Sequence, residues 1–233
     1  MKIWALSDPH LGFACDKPMD IFGDNWSEYV SKIKANWERL VKNDDVVLLP
    51  GDISWALKIE DAVPDLEWLG KLPGTKIIIK GNHELWWSSF AKVKSILPPS
   101  IIALQNNSVK IGNNIFCGTR GWQVREPGKP YTDQDQKIYN REVIRLNLTL
   151  NDMEKQRKPE DKVIFLTHFP PYNSRREESE FTKAFGEHKV SAVVFGHVHG
   201  KNDSVDLQLL KNGIKYYQTS TDQIGHCPVE IKV

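Results

Sequence analysis

Five of the seven histidines in this 233-residue chain fall in short polar clusters that also carry Asp, Asn and Gly. The clusters read "DPH" (Asp8, His10), "GD" (Gly51, Asp52), "GNHE" (Gly81, Asn82, His83, Glu84), "TH" (His168) and "GHVH" (Gly196, His197, His199). Their donors are oxygens and imidazole nitrogens without a thiolate, a set that suits Mn, Fe, Zn, Ni or Mg rather than a structural zinc. Asp8, His10, Asp52, Asn82, His168, His197 and His199 are too many ligands for one ion. Two divalent ions sharing one bridging carboxylate would use them all and still leave positions for water. Two ions about 3.5 to 4 Å apart form a recurrent clamp for phosphoryl displacement, and metal binding lowers the pKa of water from about 15.7 to about 7. The expected nucleophile is therefore a metal-bound hydroxide, with no Ser or Cys required.

Each cluster follows a short apolar run: "KIWALS", "DVVLLP", "KIIIK", "KVIFLT" and "VSAVVF". Continuous rather than alternating apolarity predicts strands buried on both faces. In a parallel sheet the exits of such strands lie along one edge, where open α/β folds place their sites. Gly51, Gly81 and Gly196 precede the donors and are expected to take positive φ at the turns. Two helical stripes are predicted between the strands, one through Trp26, Val30, Ile33, Trp37 and Leu40, the other through Tyr139, Val143, Leu146, Leu150 and Met153. The C-terminal runs "SVDLQLL", "IKYYQTS" and "PVEIKV" lack helices between them and predict antiparallel strands closing a sheet. Together these elements predict an α/β layered sandwich with mixed sheets. Residues 119–132, interrupted by Pro and Gly, read as a surface loop.

Length favours a single domain over residues 1–233. Hydrophobic residues make up 40% and charged residues 26%, and the net charge is +1. That balance gives no electrostatic drive toward nucleic acid or an anionic membrane. Cys15, Cys117 and Cys227 show neither paired spacing nor a zinc-cluster pattern, which fits a reducing cytoplasm. The N-terminal apolar stretch is too short for a signal sequence, and no later run approaches a membrane span.

The ordered series DxH, GD, GNHE, H and GHxH, from Asp8 to His199, resembles the calcineurin-like metallophosphoesterase family. The resemblance implies a four-layer αββα sandwich with two mixed β-sheets and a metal site at the strand C-terminal ends. It implies a two-metal hydrolase of phosphate mono- or diesters. Asp8, His10 and His199 would serve the first ion, Asn82, His168 and His197 the second, and Asp52 both. His83 would stabilise the transition state or protonate the leaving oxygen. The phosphoprotein phosphatase branch continues its second motif as GDxVDRG, whose second Asp orients the histidine of GNH. Here the sequence reads "GDISWA", with Trp55 and Ala56 in place of that Asp and Arg, and Lys80 stands where that branch has Arg. The smaller bacterial-type phosphoesterases are the closer comparison, and Glu84 or a backbone carbonyl is left to orient His83.

Arg120, Trp122 and Arg125 in the 119–132 loop are candidates for gripping phosphate and stacking a base or sugar. Trp55, Trp86 and Trp87 beside the motifs either wall a pocket or fill the core. The expected substrate is a small-molecule phosphoester, a nucleotide being preferred. A nuclease of the same chemistry is the alternative, disfavoured by the neutral charge. A non-catalytic scaffold of the same fold is disfavoured by the intact donor set.

Overall fold

All five apolar runs are strands, and alternate residues along each serve two different cores. The computed structural model describes residues 1–200 and 206–233. In the first sheet β1 (Ile3–Ala5), β2 (Val46–Leu49), β3 (Thr75–Ile79) and β4 (Ile101–Leu104) run parallel. The second sheet contains β5 (Asn107–Ile111), β6 (Asn114–Thr119), β7 (Lys162–Thr167), β8 (Ala192–Phe195), β9 (Gln208–Lys211) and β10 (Ile214–Gln218). Its spatial order is β5-β6-β7-β8-β10-β9, parallel through β6, β7, β8 and β10, with β5 and β9 antiparallel at the edges.

The two sheets face each other across a core in which Ile3, Ala5, Val46, Leu48 and Ile77 meet Phe116, Ile164, Leu166 and Val194. The intervening residues point outward. Trp4, Val47, Leu49 and Ile78 pack on α1 (Tyr29–Leu40), α2 (Ile59–Lys71) and α3 (Phe90–Ile96). On the other side, Val163, Phe165, Val193 and Phe195 pack under α4 (Asp133–Glu154) and α5 (Glu180–Glu187). The layers are therefore helices, sheet, sheet, helices, as the family resemblance implied. Burial on both faces explains why these strands read as unbroken apolar runs.

Three local expectations need correction. The α1 stripe begins at Val30, because Trp26 closes a separate 3-10 turn, Asp24–Trp26, ahead of the helix. Steps of four and three in sequence do not distinguish a helix from a helix preceded by such a turn. The C-terminal strands do not close one sheet. β9 and β10 form a hairpin across Asn212 and Gly213, β10 pairs parallel with β8, and β11 (Val229–Glu230) returns to the first sheet antiparallel to β1. Ser204 and Val205 of the expected first run lie outside the described residues. The strand exits bearing the polar clusters belong to two sheets, three from the first and two from the second. No helix among the described residues is long and apolar enough to cross a membrane.

Candidate metal centre

The two sheets are stitched together at the end where the clusters lie. Ser7, leaving β1, bridges to Ser220, leaving β10. The Ser7 amide donates to the Thr219 carbonyl (2.8 Å), and the Thr221 amide donates to the Ser7 carbonyl (3.0 Å). Asp8 and His10 follow this stitch, Asp52 follows β2, Asn82 and His83 follow β3, His168 follows β7, and His197 and His199 follow β8. The backbone strain falls on the donors. Asp8, His10, Asp52 and His197 take left-handed φ values of 55°, 43°, 53° and 72°. Non-glycine residues occupy that region at a cost of about 1 to 3 kcal/mol each, and such strain gathers at functional sites. Of the three glycines expected at positive φ, only Gly51 takes it (95°). Gly81 and Gly196 serve close approach instead, since a Cβ on either would overlap a carboxylate oxygen, of Asp52 and Asp8 respectively.

Within this frame lone pairs converge. His10 Nε2 and His199 Nε2 face each other at 3.4 Å, and His199 Nε2 lies 3.5 Å from Asp8 Oδ1. Asp52 Oδ2 sits 3.8 Å from His10 Nε2 and 3.4 Å from His168 Nε2. Asn82 Oδ1 approaches both His168 Nε2 (2.6 Å) and His197 Nδ1 (2.9 Å). Two triads, Asp8 with His10 and His199, and Asp8 with Asp52 and His168, bring ligand atoms within 4.8 Å of one another, a spacing that could hold a metal ion. A second layer fixes the rings. His168 Nδ1 faces the Pro50 carbonyl at 2.9 Å and His199 Nδ1 faces Asp222 Oδ1 at 2.8 Å, so in each ring Nε2 is the atom turned inward. Partners of this kind set the tautomer and aim of metal-ligating imidazoles. The Ser220 hydroxyl donates to Asp8 Oδ2 (2.9 Å), and the His197 amide donates to both Asp8 oxygens at 3.1 Å.

The electrostatics ask for cations. Burial alone would raise the Asp8 and Asp52 carboxyls, but the neighbouring imidazoles hold both below the ordinary range. Burial works against the charged form of His168 as well, yet Asp52 lifts it to about 9. His199 rises against burial to about 10 through its hydrogen bonds with Asp222 and Asp8. His10 and His197, where burial wins, fall to about 4. The metal-free centre thus pairs two carboxylates with two imidazolium ions and keeps the other two rings neutral. Two carboxylates, four imidazoles and an amide oxygen within this spacing are a donor set that fits divalent ions. At neutral pH, below both raised values, uptake of divalent ions is expected to expel about two protons and to weaken as pH falls. Calorimetry in buffers of different ionisation enthalpy measures the release, and uptake without protons would contradict it.

Glu84 is not the partner of His83. Its carboxylate is fully buried and accepts from the amides of Asp52 (3.0 Å), Ser54 (3.4 Å), Gly81 (2.5 Å) and Ile53. It clamps the exits of β2 and β3 together and spends its oxygens doing so. Burial and the Asp52 charge raise its pKa, while His168 and the donated amides favour the charged form. The His83 amide donates to Asp52 Oδ1 (2.8 Å), and the ring packs against Trp55, centroids 4.4 Å apart. Trp55 also stacks on His10 at 4.6 Å and donates to Met19 Sδ. An indole wall therefore positions His83 where the related branch uses a carboxylate.

A cavity of about 990 Å³ opens on His10, His83 and His199, with Met19, Phe22, Trp26 and Trp55 among its walls. Trp86 and Trp87 are core residues, 1% and 4% exposed. Arg120 and Trp122 stack on each other (4.9 Å) and do not line this cavity. The Arg120 carbonyl nevertheless accepts from the His168 amide (2.9 Å). Arg125 is exposed, and its carbonyl accepts from Asn173. Sequence reasoning missed Asp222 and Ser220. Their signal was the run "IKYYQ" ending in "TSTD", a sixth strand exit with the same pattern as the others.

A family model described as calcineurin-like phosphoesterase matches residues 1–201. The chain belongs to the calcineurin-like phosphoesterase family. The gene 66 protein of Mycobacterium phage L5 is 31% identical over 81 residues, covering 35% of this chain and 39% of that protein. An uncharacterised protein of Methanocaldococcus jannaschii is 29% identical over 98 residues, covering 40% of this chain and 52% of that one. The matches thus span about two fifths to one half of these relatives. The fold is shared with phosphopantetheinyl hydrolase from Mycobacterium tuberculosis, at 14% identity and a TM-score of 0.54, over 94% of this chain and 88% of that one. It is also shared with a protein of unknown function from Aquifex aeolicus, at 14% identity and a TM-score of 0.52, over 98% and 95% of the two chains.

The Glu84 clamp fixes the Asp52 exit against the Gly81 turn that precedes Asn82. Glu84→Gln would turn a donor toward amides that need an acceptor. Divalent-ion affinity is expected to fall about 10- to 100-fold, the usual cost of losing a supporting residue around a metal site, with a lower melting temperature. Equilibrium dialysis and thermal unfolding read both, and unchanged affinity would show that the clamp does not hold these exits for metal.

Proposed function

We propose that this chain is a metal-dependent phosphoesterase that hydrolyses a phosphate mono- or diester of a small molecule, a nucleotide by preference, with two divalent ions at the strand exits. The observation that carries the reading is the 990 Å³ cavity that opens directly on His10, His83 and His199. Among the described residues its lining includes neither Lys nor Arg, and Lys17 over the Trp55 ring is the one cation described against its wall, a sparse charge for a nucleic-acid backbone. Phe22, Trp26 and Trp55 suit a flat or apolar leaving group, with Asn25, Asp222 and Gln223 as polar contacts.

Asp8, His10 and His199 are assigned to one ion and Asn82, His168 and His197 to the other. Asp52 is assigned to both, because its Oδ2 lies between His10 Nε2 and His168 Nε2. The ions would be Mn, Fe, Zn, Ni or Mg, and when bound they would acidify water and offset charge on the phosphoryl oxygens. The remaining work falls to side chains of this chain. His10, stacked on Trp55, and His199, tied to Asp222, keep Nε2 toward the centre. His83 is assigned to the leaving-group side. Burial lowers its pKa, so it rests as a neutral imidazole that offers one N–H and one lone pair. Trp55 holds that ring at the mouth of the cavity, where its N–H would hydrogen-bond the charge that develops on the leaving oxygen, the proton itself coming from water.

Metal-loaded protein is expected to hydrolyse nitrophenyl phosphate esters, and chelation or Asp52→Asn is expected to abolish turnover. His83→Gln is expected to lower kcat by about 10² to 10³, the range for losing a positioned donor to developing charge, while metal content measured by atomic absorption stays at the wild-type value. Metal-replete protein that cleaves no ester in a broad panel of mono- and diesters would refute the reading.

A further inference from the structure

A second, smaller cavity of about 260 Å³ lies apart from the large one, and its lining carries Lys80, Arg120, Arg141 and Arg145 with no Asp or Glu among the described residues. The counter-charge of the three arginines is one fully buried carboxylate behind the wall, that of Glu142 on α4. Three guanidinium groups converge on a single oxygen of it. Glu142 Oε1 is 2.7 Å from Arg145 Nη1, 3.2 Å from Arg120 Nη2 and 4.0 Å from Arg141 Nε. The other oxygen is engaged by the Thr119 hydroxyl at 3.3 Å. Each guanidinium presents a planar fork of donors and accepts nothing, so one carboxylate leaves the cluster short of acceptors. Arg120 Nε shows the shortage directly, being buried without a hydrogen-bond partner among the described residues. Burying a charged donor unpaired is costly, and Arg forks match the oxygens of phosphate.

The cavity also adjoins the metal centre through the backbone. Lys80 is two residues ahead of Asn82, and the Arg120 carbonyl accepts the His168 amide at 2.9 Å. Stacking on Trp122 (4.9 Å) and the Glu142 contact hold the Arg120 guanidinium in place before any ligand arrives.

We propose that the Lys80, Arg120, Arg141 and Arg145 cavity is a second anion site that takes a phosphate group. The phosphate is either a second one on the substrate or a free ion. The inference does not depend on turnover, because binding can be read without hydrolysis.

The test titrates metal-loaded protein with inorganic phosphate in a calorimeter, resolving binding at the metal centre from binding at the basic cavity. The variant Arg141→Gln with Arg145→Gln changes two partly exposed side chains. It is expected to weaken the second binding event by about tenfold, the loss expected for hydrogen bonds to a charged group, while the first event persists. Glu142→Gln removes the competing carboxylate and is expected to tighten the second event. Asp52→Asn should disturb the first event and spare the second, so failure of the metal-centre reading is seen separately. Phosphate binding by the double arginine variant with wild-type stoichiometry and affinity would overturn the proposal, whether or not Glu142→Gln folds. A kinetic arm then identifies the source. If KM rises in the double variant for a bisphosphate ester but not for a monophosphate, the phosphate belongs to the substrate; if KM rises for neither while phosphate binding is weakened, the ligand is the free ion.

Discussion

Two carboxylates, those of Asp8 and Asp52, are excluded from water almost completely and lie in one cleft. Buried like charges at that spacing are tolerable only if positive charge joins them. The rest of the site follows from that constraint. Four imidazoles and an amide surround the pair, two of the imidazoles hold protons in the metal-free state, and their outer nitrogens are tethered to Pro50 and Asp222. A centre that must borrow protons to balance itself is poised to exchange them for divalent ions. The left-handed backbone at Asp8, His10, Asp52 and His197 is a standing cost that the surrounding sandwich sustains.

The sandwich sustains it by bringing two parallel-strand edges to one place. Neither sheet alone carries the donor set, since Asp8, Asp52 and Asn82 leave the first and His168 and His197 leave the second. The Ser7 to Ser220 stitch, the His197 amide on Asp8 and His168 Nδ1 against the Pro50 carbonyl convert two edges into one cleft, while the Glu84 clamp ties the β2 and β3 exits within the first sheet. Asp65 on α2 adds a tie between the β1 and β2 exits by accepting from the Ser54 hydroxyl and from the Phe13 amide. Trp55 then converts the absence of an orienting carboxylate into a different solution, an aromatic wall that His10 and His83 share. The same indole faces the large cavity, so the residue that positions His83 also shapes the space for the leaving group.

Much of this was legible in the sequence because strand burial and donor chemistry are both written locally. A run such as "KIIIK" ending in "GNHE" states a strand, its burial and its exit within a few residues. What was not legible depends on partners distant in the chain. Glu84 stands next to His83 yet turns inward to the amides of β2's exit, and adjacency in sequence gives no hint of that direction. Asp222 supports His199 from 23 residues away. Trp26 continues the spacing of the α1 stripe but sits in a 3-10 turn at the cavity wall, because a step of four is compatible with both. The division of the strands between two sheets was likewise hidden, since apolar runs buried on two faces look alike whichever sheet they join.

The central claim is that Asp52 is shared by two ions at the meeting of the two sheet edges. Anomalous diffraction from a manganese-soaked crystal tests it most directly. The account predicts two peaks about 3.5 to 4 Å apart, one beside His10 and His199, the other beside Asn82, His168 and His197, with the Asp52 carboxylate touching both. A single peak, or two peaks of which Asp52 contacts only one, would contradict it.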